Sequence, residues 1–216
     1  MSKKYEIFLF DLDGTITDSA LGITNSVMYA LKKFGIEEKD RTKLYKFIGP
    51  PLTESFEKFY GFTKEQSLDG VKYYREYYHD KGIYENRVYD GLEEVLKKIN
   101  EAGKQAIVAT SKPEKYAKII IDHFHLTQYF ACVAGMEMDG GRGTKAQVIT
   151  YALEKNDITD KSNVLMIGDR EHDVIGAHEN GLDCLGILYG FGSRKEFEEA
   201  GADYIRENVE DILQFV

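Results

Sequence analysis

Five short apolar runs punctuate the chain: IFLF at 7–10, AIVAT at 106–110, ACVAG at 131–135, VLMIG at 164–168 and CLGIL at 184–188. Each has the length of a buried strand. Each is also continuous rather than alternating, the pattern of parallel strands covered on both faces. Between the later runs, apolar residues recur at helical spacing. GLEEVLKKINEAG (91–103) lines up Leu92, Val95, Leu96 and Ile99 on one face, with Gly103 as a stop. PEKYAKIIIDHF (113–124) opens with Pro113, suited to a first helical position. TKAQVITYALEK (144–155) and HDVIGAHENG (172–181) repeat the logic. Alternating strand and helix predict an α/β domain with a parallel sheet flanked by helices.

Residues 17–84 break this alternation. ALGITNSVMYALKKFG repeats apolar residues at Leu21, Met28, Leu31 and Phe34 and stops at Gly35. TKEQSLDGVKYYREYYHD is helical in pattern and rich in Tyr, and no convincing buried strand falls between Thr17 and Tyr84. The expected organisation is an α/β core from 1–16 and 85–216, with an all-helical domain at 17–84 inserted after the first strand. Ligands of open α/β sheets bind outside the carboxyl ends of the strands, so an insertion there is expected to act as a lid.

Composition narrows the partners. The chain has 216 residues, 43% of them hydrophobic, enough for a sizeable core. Against 28 Lys and Arg stand 37 Asp and Glu, a formal charge of −9. That field disfavours a nucleic-acid polymer but permits a small anion at a locally cationic site. Cys132 and Cys184 are far apart, each in an apolar run, and read as free thiols of a reducing compartment. The N-terminal MSKKYE lacks the apolar stretch of a signal peptide, and no run is long enough to span a bilayer. The expectation is a soluble cytoplasmic protein, monomer or dimer, with no membrane partner.

Polar residues gather at the carboxyl ends of the expected strands: Asp11-Leu12-Asp13-Gly14-Thr15, Thr110-Ser111-Lys112-Pro113 and Gly168-Asp169-Arg170-Glu171-His172-Asp173, with Lys145 at a helix start. Taken singly, each has a plain structural role. Asp11 and Asp13 suit a turn in which Gly14 takes positive φ. Thr110, Ser111 or Asp169 can cap a helix. Lys145 is harder to explain that way. Thr144 and Gln147 form a T-x-x-Q capping box, which puts Lys145 in the first helical turn. A cation there opposes the helix dipole at a cost of roughly 0.3–1 kcal/mol, and an anionic partner reverses that sign.

Together these residues fit a phosphoryl-transfer site. Asp11, Asp169 and Asp173 are expected to converge at strand ends, where, packed together, they would repel one another unless a divalent cation neutralises them. Hard oxygen ligands select Mg²⁺. Lys145 and the Thr110 hydroxyl suit phosphoryl oxygens, and such catalysis is mostly positioning and charge neutralisation. Asp11 can attack phosphorus to form an aspartyl-phosphate. Asp13 can protonate the leaving oxygen and then deprotonate the water that releases phosphate.

Over essentially its whole length, the chain resembles the haloacid dehalogenase superfamily of phosphatases. FDLDGTITD is similar to that family's first motif, VATS to its second, Lys145 to its third and GDREHD to its fourth. The resemblance implies a Rossmann-like core. Asp11 would be the nucleophile and a Mg²⁺ ligand. Asp13 would be the general acid/base and would offer its backbone carbonyl to Mg²⁺. Thr110 would bind the transferring phosphoryl group, helped by backbone amides near Asp13, Gly14 and Ser111. Lys145 would neutralise phosphoryl oxygens and Asp11, Asp169 would ligate Mg²⁺, and Asp173 would support the metal shell or Lys145. The helical insertion resembles the cap of the subgroup with phosphoglycolate phosphatases, β-phosphoglucomutases and some 5′-nucleotidases. KFIGPPLTESF (46–56) resembles the phosphoglycolate phosphatase-like and 5′-nucleotidase-like members.

The expected activity is therefore Mg²⁺-dependent hydrolysis of a small phosphorylated metabolite. Two alternatives share its chemistry: a β-phosphoglucomutase-like phosphomutase, and a receiver-type signalling domain that accepts phosphate on Asp. The receiver is disfavoured because Asp11 and Asp13 sit together and a lid insertion follows. His123-Phe124-His125 has the spacing of a zinc pair without Cys partners, and a surface or packing role is the better reading. Gly49, Pro50 and Pro51 form either a rigid site-facing loop or a plain helix–helix turn. YYREYYHD reads as a packing face, from which Arg75 can meet an anionic substrate.

Overall fold

The computed structural model describes residues 3–138 and 141–216. Met1 and Ser2, which open the MSKKYE segment, lie outside the described residues. The chain divides into two compact units, one running up to Thr17 and resuming at Val88–Val216, the other Asp18–Arg87.

The first unit begins with β1 (Ile7–Phe10), where Phe8, Leu9 and Phe10 are fully buried. The first segment of this unit ends at Thr17, in a short ribbon made by β2 (Thr17–Asp18) and β3 (Arg87–Val88). Only β2 of this ribbon falls within 17–84, where no convincing buried strand is expected. At two residues per strand it is too short to leave a hydrophobic signature.

In the second unit, α1 (Ala20–Lys33) and α2 (Leu52–Tyr60) both pack on α3 (Lys64–Tyr77). Its interior is aromatic. Phe56 stacks on Phe62 with centroids 5.5 Å apart, and Phe47 meets Phe56 at 5.2 Å. Gly70 lets α3 approach the Phe56 ring, where a Cβ would stand only 3.1 Å away. Thr63 and Gln66 cap α3 reciprocally. Tyr74 and Tyr78 are buried and stacked at 5.2 Å, so this part of the Tyr-rich segment is a packing face.

After β3 the expected alternation appears: α4 (Leu92–Glu101), β4 (Gln105–Pro113), α5 (Glu114–His123), β5 (Phe130–Met136), α6 (Lys145–Lys155), β6 (Val164–Gly168), α7 (Glu171–Glu179) and β7 (Asp183–Ile187). An α8 (Arg194–Ala200) and a three-residue β8 (Tyr204–Arg206) complete the unit beyond the elements expected from apolar runs. Pro113 corrects one detail. It caps α5 with extended ψ of 129° and is also the last residue of β4, one position before the helix proper.

The sheet is six-stranded and wholly parallel, in the order β5-β4-β1-β6-β7-β8. One core layer joins Leu9, Ile107 and Met166 of the sheet to Val148, Ile149, Val174 and Ala177 of α6 and α7. This is the Rossmann-like α/β architecture expected. From β1 the chain winds outward to β4 and β5, then returns to the opposite side of β1 as β6. The strand order therefore reverses at β1 and β6, where ligand crevices form in such sheets. Among the described residues no helix is long and apolar enough to cross a membrane.

Candidate active site

Asp11 follows β1 directly, and its amide donates to the Ile167 carbonyl of β6 at 2.9 Å, continuing the sheet by one residue. The chain then turns sharply. The Leu12 carbonyl accepts from the amides of Thr15, Ile16 and Thr17 at 3.2, 2.9 and 2.9 Å, and buried Leu12 anchors the turn. Gly14 adopts φ of +83°, and a Cβ there would lie 2.1 Å from an Asp169 carboxylate oxygen. Glycine is thus required both by backbone conformation and by the approach of Asp169. The Gly14 amide donates to the Thr17 carbonyl at 2.7 Å, inside the turn.

Lys145 is the first residue of α6, held by the Thr144–Gln147 capping box. It is buried, and its Nζ lies 2.9 Å from Asp11, 2.7 Å from Asp173 and 3.0 Å from the Ala109 carbonyl oxygen of β4. Gly176 of α7 accommodates its stem, since a Cβ there would stand 2.7 Å from Lys145 Cγ. Asp173 packs on Gly168, where a Cβ would fall 2.1 Å from its carboxyl carbon, and accepts from the Arg170 amide at 3.1 Å. The spacing of Gly168, Asp169 and Asp173 thus has a steric basis at the end of β6.

Asp169 is fully buried. It accepts from the Phe191 amide at 2.9 Å and the Thr15 hydroxyl at 3.4 Å. Burial pushes its carboxyl well above the ordinary carboxylate range, reinforced by the charges of Asp173 and Asp11. Burial also raises Asp11. Lys145 opposes that rise, the Asp173 charge adds to it, and a hydrogen bond from Thr110 opposes it further. For Lys145, burial favours the neutral amine, but Asp11 and Asp173 outweigh it and hold the ammonium protonated.

Asp11, Asp169 and Asp173 each offer an oxygen within 4.8 Å of the others, the one group of three potential metal ligands found among the described residues. His123 and His125 are not in it, and His123 instead stacks edge-on against Phe124 at 4.9 Å. Asp173 is engaged by both Lys145 and the Arg170 amide, while Asp11 shares Lys145 with it and Asp169 stands outside that ammonium's ion pairs. Asp11 and Asp169, two buried carboxylates pushed toward protonation by burial, with the Asp173 charge adding to it, are a hard-oxygen donor set that fits Mg²⁺.

Thr110 is buried at the end of regular β4–β5 pairing, and Ser111 beside it is half-buried. The register then slips between Thr110 and Pro113, a bulge of the kind that re-aims side chains near active sites. The bulge turns Lys112 inward. Its Nζ lies 3.0 and 2.7 Å from the two Asp13 carboxylate oxygens, and both side chains are buried. Sequence reasoning missed Lys112. A lysine beside the strand-end Thr-Ser was the signal available, but only the bulge aims it at Asp13.

The residues expected in the insertion lie in the other unit. Gly49, with φ of 103°, and Pro50 sit in the bend before α2, and Arg75 is half-buried in the last turn of α3.

Comparison with known proteins agrees with this geometry. Residues 8–187 match the haloacid dehalogenase-like hydrolase family. A 5′-nucleotidase of Pseudomonas aeruginosa is 45% identical over 193 residues, covering 89% of this chain and 87% of that protein. Tyrosine-protein kinase PtkA of Mycobacterium tuberculosis (strain H37Rv) is 35% identical over 188 residues, covering 87% of this chain and 63% of that protein. The crystal structure of a "predicted phosphatase" from Clostridium acetobutylicum superposes with a TM-score of 0.94 at 47% identity, covering 98% of each chain. The chain belongs to the haloacid dehalogenase-like hydrolase family. It is an enzyme of that family's phosphatase type, with the Rossmann-like core shared by its structural neighbours.

Proposed function

We propose that the chain hydrolyses a small phosphomonoester through an aspartyl-phosphate on Asp11, with Mg²⁺ as cofactor. The observation that carries this reading is the buried Asp11 at the end of β1, within 2.9 Å of Lys145 and grouped with Asp169. Asp11 and Asp169, with the Asp13 carbonyl, would hold the cation, which supplies charge neutralisation for a phosphoryl group when bound. Asp11 attacks phosphorus in line and the ester oxygen leaves. Asp13 gives that oxygen a proton, then takes one from the water that attacks the aspartyl-phosphate. Lys145 and Thr110 hold phosphoryl oxygens, Ser111 contributes its amide, and Asp173 keeps Lys145 in place.

We favour a nucleoside 5′-monophosphate as substrate, because the 45%-identical relative is named 5′-nucleotidase. The helical unit, residues 18–87, would act as the cap, with Gly49, Pro50 and Arg75 toward the substrate. The free, buried thiols of Cys132 and Cys184 suit the cytoplasm.

The test is phosphate release from p-nitrophenyl phosphate and from a panel of nucleotides, phosphoglycolate, sugar phosphates and pyrophosphate, with and without EDTA. Wild type should turn over only with Mg²⁺, and Asp11→Asn should lose at least about 10³-fold. Undiminished turnover by Asp11→Asn would end the mechanism. An isomerised sugar phosphate in place of free phosphate would indicate a mutase, and label passing to a protein tyrosine would indicate a kinase.

A further inference from the structure

We propose that the loop Tyr189–Gly192, which follows β7, is a positioning part of the divalent-cation site, holding Asp169 and tying it to the turn after β1. The inference rests on the reading of Asp169 as a cation ligand. Four contacts carry it. The Phe191 amide donates to Asp169 at 2.9 Å. A Cβ on Gly190 would stand 2.4 Å from both Asp169 Cβ and the Gly14 carbonyl oxygen. A Cβ on Gly192 would stand 2.0 Å from the Asp169 carbonyl oxygen. The Tyr189 hydroxyl donates to the Thr15 carbonyl at 3.0 Å, while its ring meets Tyr89 edge-on at 4.9 Å.

The loop therefore braces two segments far apart in sequence, the Asp11–Thr15 turn and the end of β6. The brace has a load to resist. Asp169 is fully buried and repelled by Asp11 and Asp173. Its contact with Thr15 is long, at 3.4 Å, so the Phe191 amide is its shorter hydrogen bond. Mg²⁺ demands near-ideal octahedral geometry at about 2.0–2.1 Å, so a ligand displaced by a few tenths of an ångström binds poorly. Neither glycine at 190 nor at 192 can accept a side chain without moving Asp169 or the loop. Both are needed for close approach, since neither has positive φ.

The experiment is a Mn²⁺ titration of the full chain, followed by electron paramagnetic resonance with Mg²⁺ as competitor, alongside thermal unfolding in EDTA. The proteins are wild type, Asp169→Asn, Gly190→Ala, Gly192→Ala and Tyr189→Phe. Wild type should bind the ion and Asp169→Asn should lose it. The glycine variants should bind about tenfold or more weakly, the scale of lost ligand support around a metal. Tyr189→Phe should bind several-fold more weakly while unfolding in EDTA near the wild-type midpoint. Loss of Mn²⁺ in Asp169→Asn with wild-type affinity in the loop variants would overturn the role of the loop alone. Equal binding by wild type and Asp169→Asn would instead overturn the cation-site reading beneath it. If the glycine variants fail to fold, Tyr189→Phe decides, and unchanged affinity there overturns the proposal.

Discussion

Replacing Lys145 by Met removes the cation shared by two buried carboxylates while keeping the length of the side chain. Its Nζ stands 2.9 Å from Asp11 and 2.7 Å from Asp173, with only 4% of the lysine side chain exposed. At an effective dielectric of about 20, each contact is worth about 6 kcal/mol of Coulomb attraction. The desolvation of the ammonium offsets much of that, and removing one partner of a buried pair typically costs about 3–5 kcal/mol. The metal-free Lys145→Met protein should therefore be destabilised by about 3–5 kcal/mol at pH 8, or roughly 10 °C in Tm for a chain of this size. Protonation of Asp11 provides partial relief. With its cation gone, the folded-state carboxyl rises further above its unfolded value. The stability it contributes is then present at acid pH and lost as pH rises, so the deficit should be larger at pH 8 than at pH 5.5. Urea unfolding in EDTA at both pH values, followed by circular dichroism because the chain has no Trp, measures it. A deficit below about 1 kcal/mol at pH 8, the value of an exposed pair, would refute the reasoning, as would a deficit that shrinks as pH rises.

Three further outcomes follow from the site. Asp169 is raised by burial in the folded state, so in EDTA it favours folding at low pH and withdraws that support as pH rises through its folded value. Because cation binding needs the carboxylate, the Mg²⁺-induced rise in Tm should be larger at pH 8 than at pH 5.5, and the reverse order would count against Asp169 as a ligand. Lys112→Met frees both Asp13 oxygens from their cation. It should slow an alkyl phosphate, which needs leaving-group protonation, about tenfold or more beyond its effect on p-nitrophenyl phosphate, and equal slowing would remove Lys112 from Asp13's role. Thr144→Ala breaks the box that starts α6 and should cost about 1 kcal/mol in urea unfolding, with loss of activity if the first turn frays around Lys145.

Much of this site is legible along the chain because burial leaves a linear trace. A strand covered on both faces must be continuously apolar, so IFLF and VLMIG announce β1 and β6, and the carboxylates that end them stand out against those runs. The box that places Lys145 is equally local, spanning Thr144 to Gln147. By contrast, β8 is a half-buried three-residue edge strand, and neither it nor the charge-rich α8 interrupts the polar background.

The α/β alternation, the helical stretch and the acid-bearing strand ends can be read along the chain, because each depends on residues within a few positions of one another. The folded chain alone sets the strand order that puts β6 beside β1, and with it the meeting of Asp11, Asp169 and Asp173. It also dictates that Gly14 donates inward to Thr17, that a bulge turns Lys112 onto Asp13, and that the loop at 189–192 closes on Asp169. The Lys112–Asp13 contact joins residues 99 apart and the Phe191–Asp169 contact residues 22 apart, and the Gly14 bond depends on where one backbone amide points. No local periodicity encodes such facts. They follow from the packing of the whole sheet.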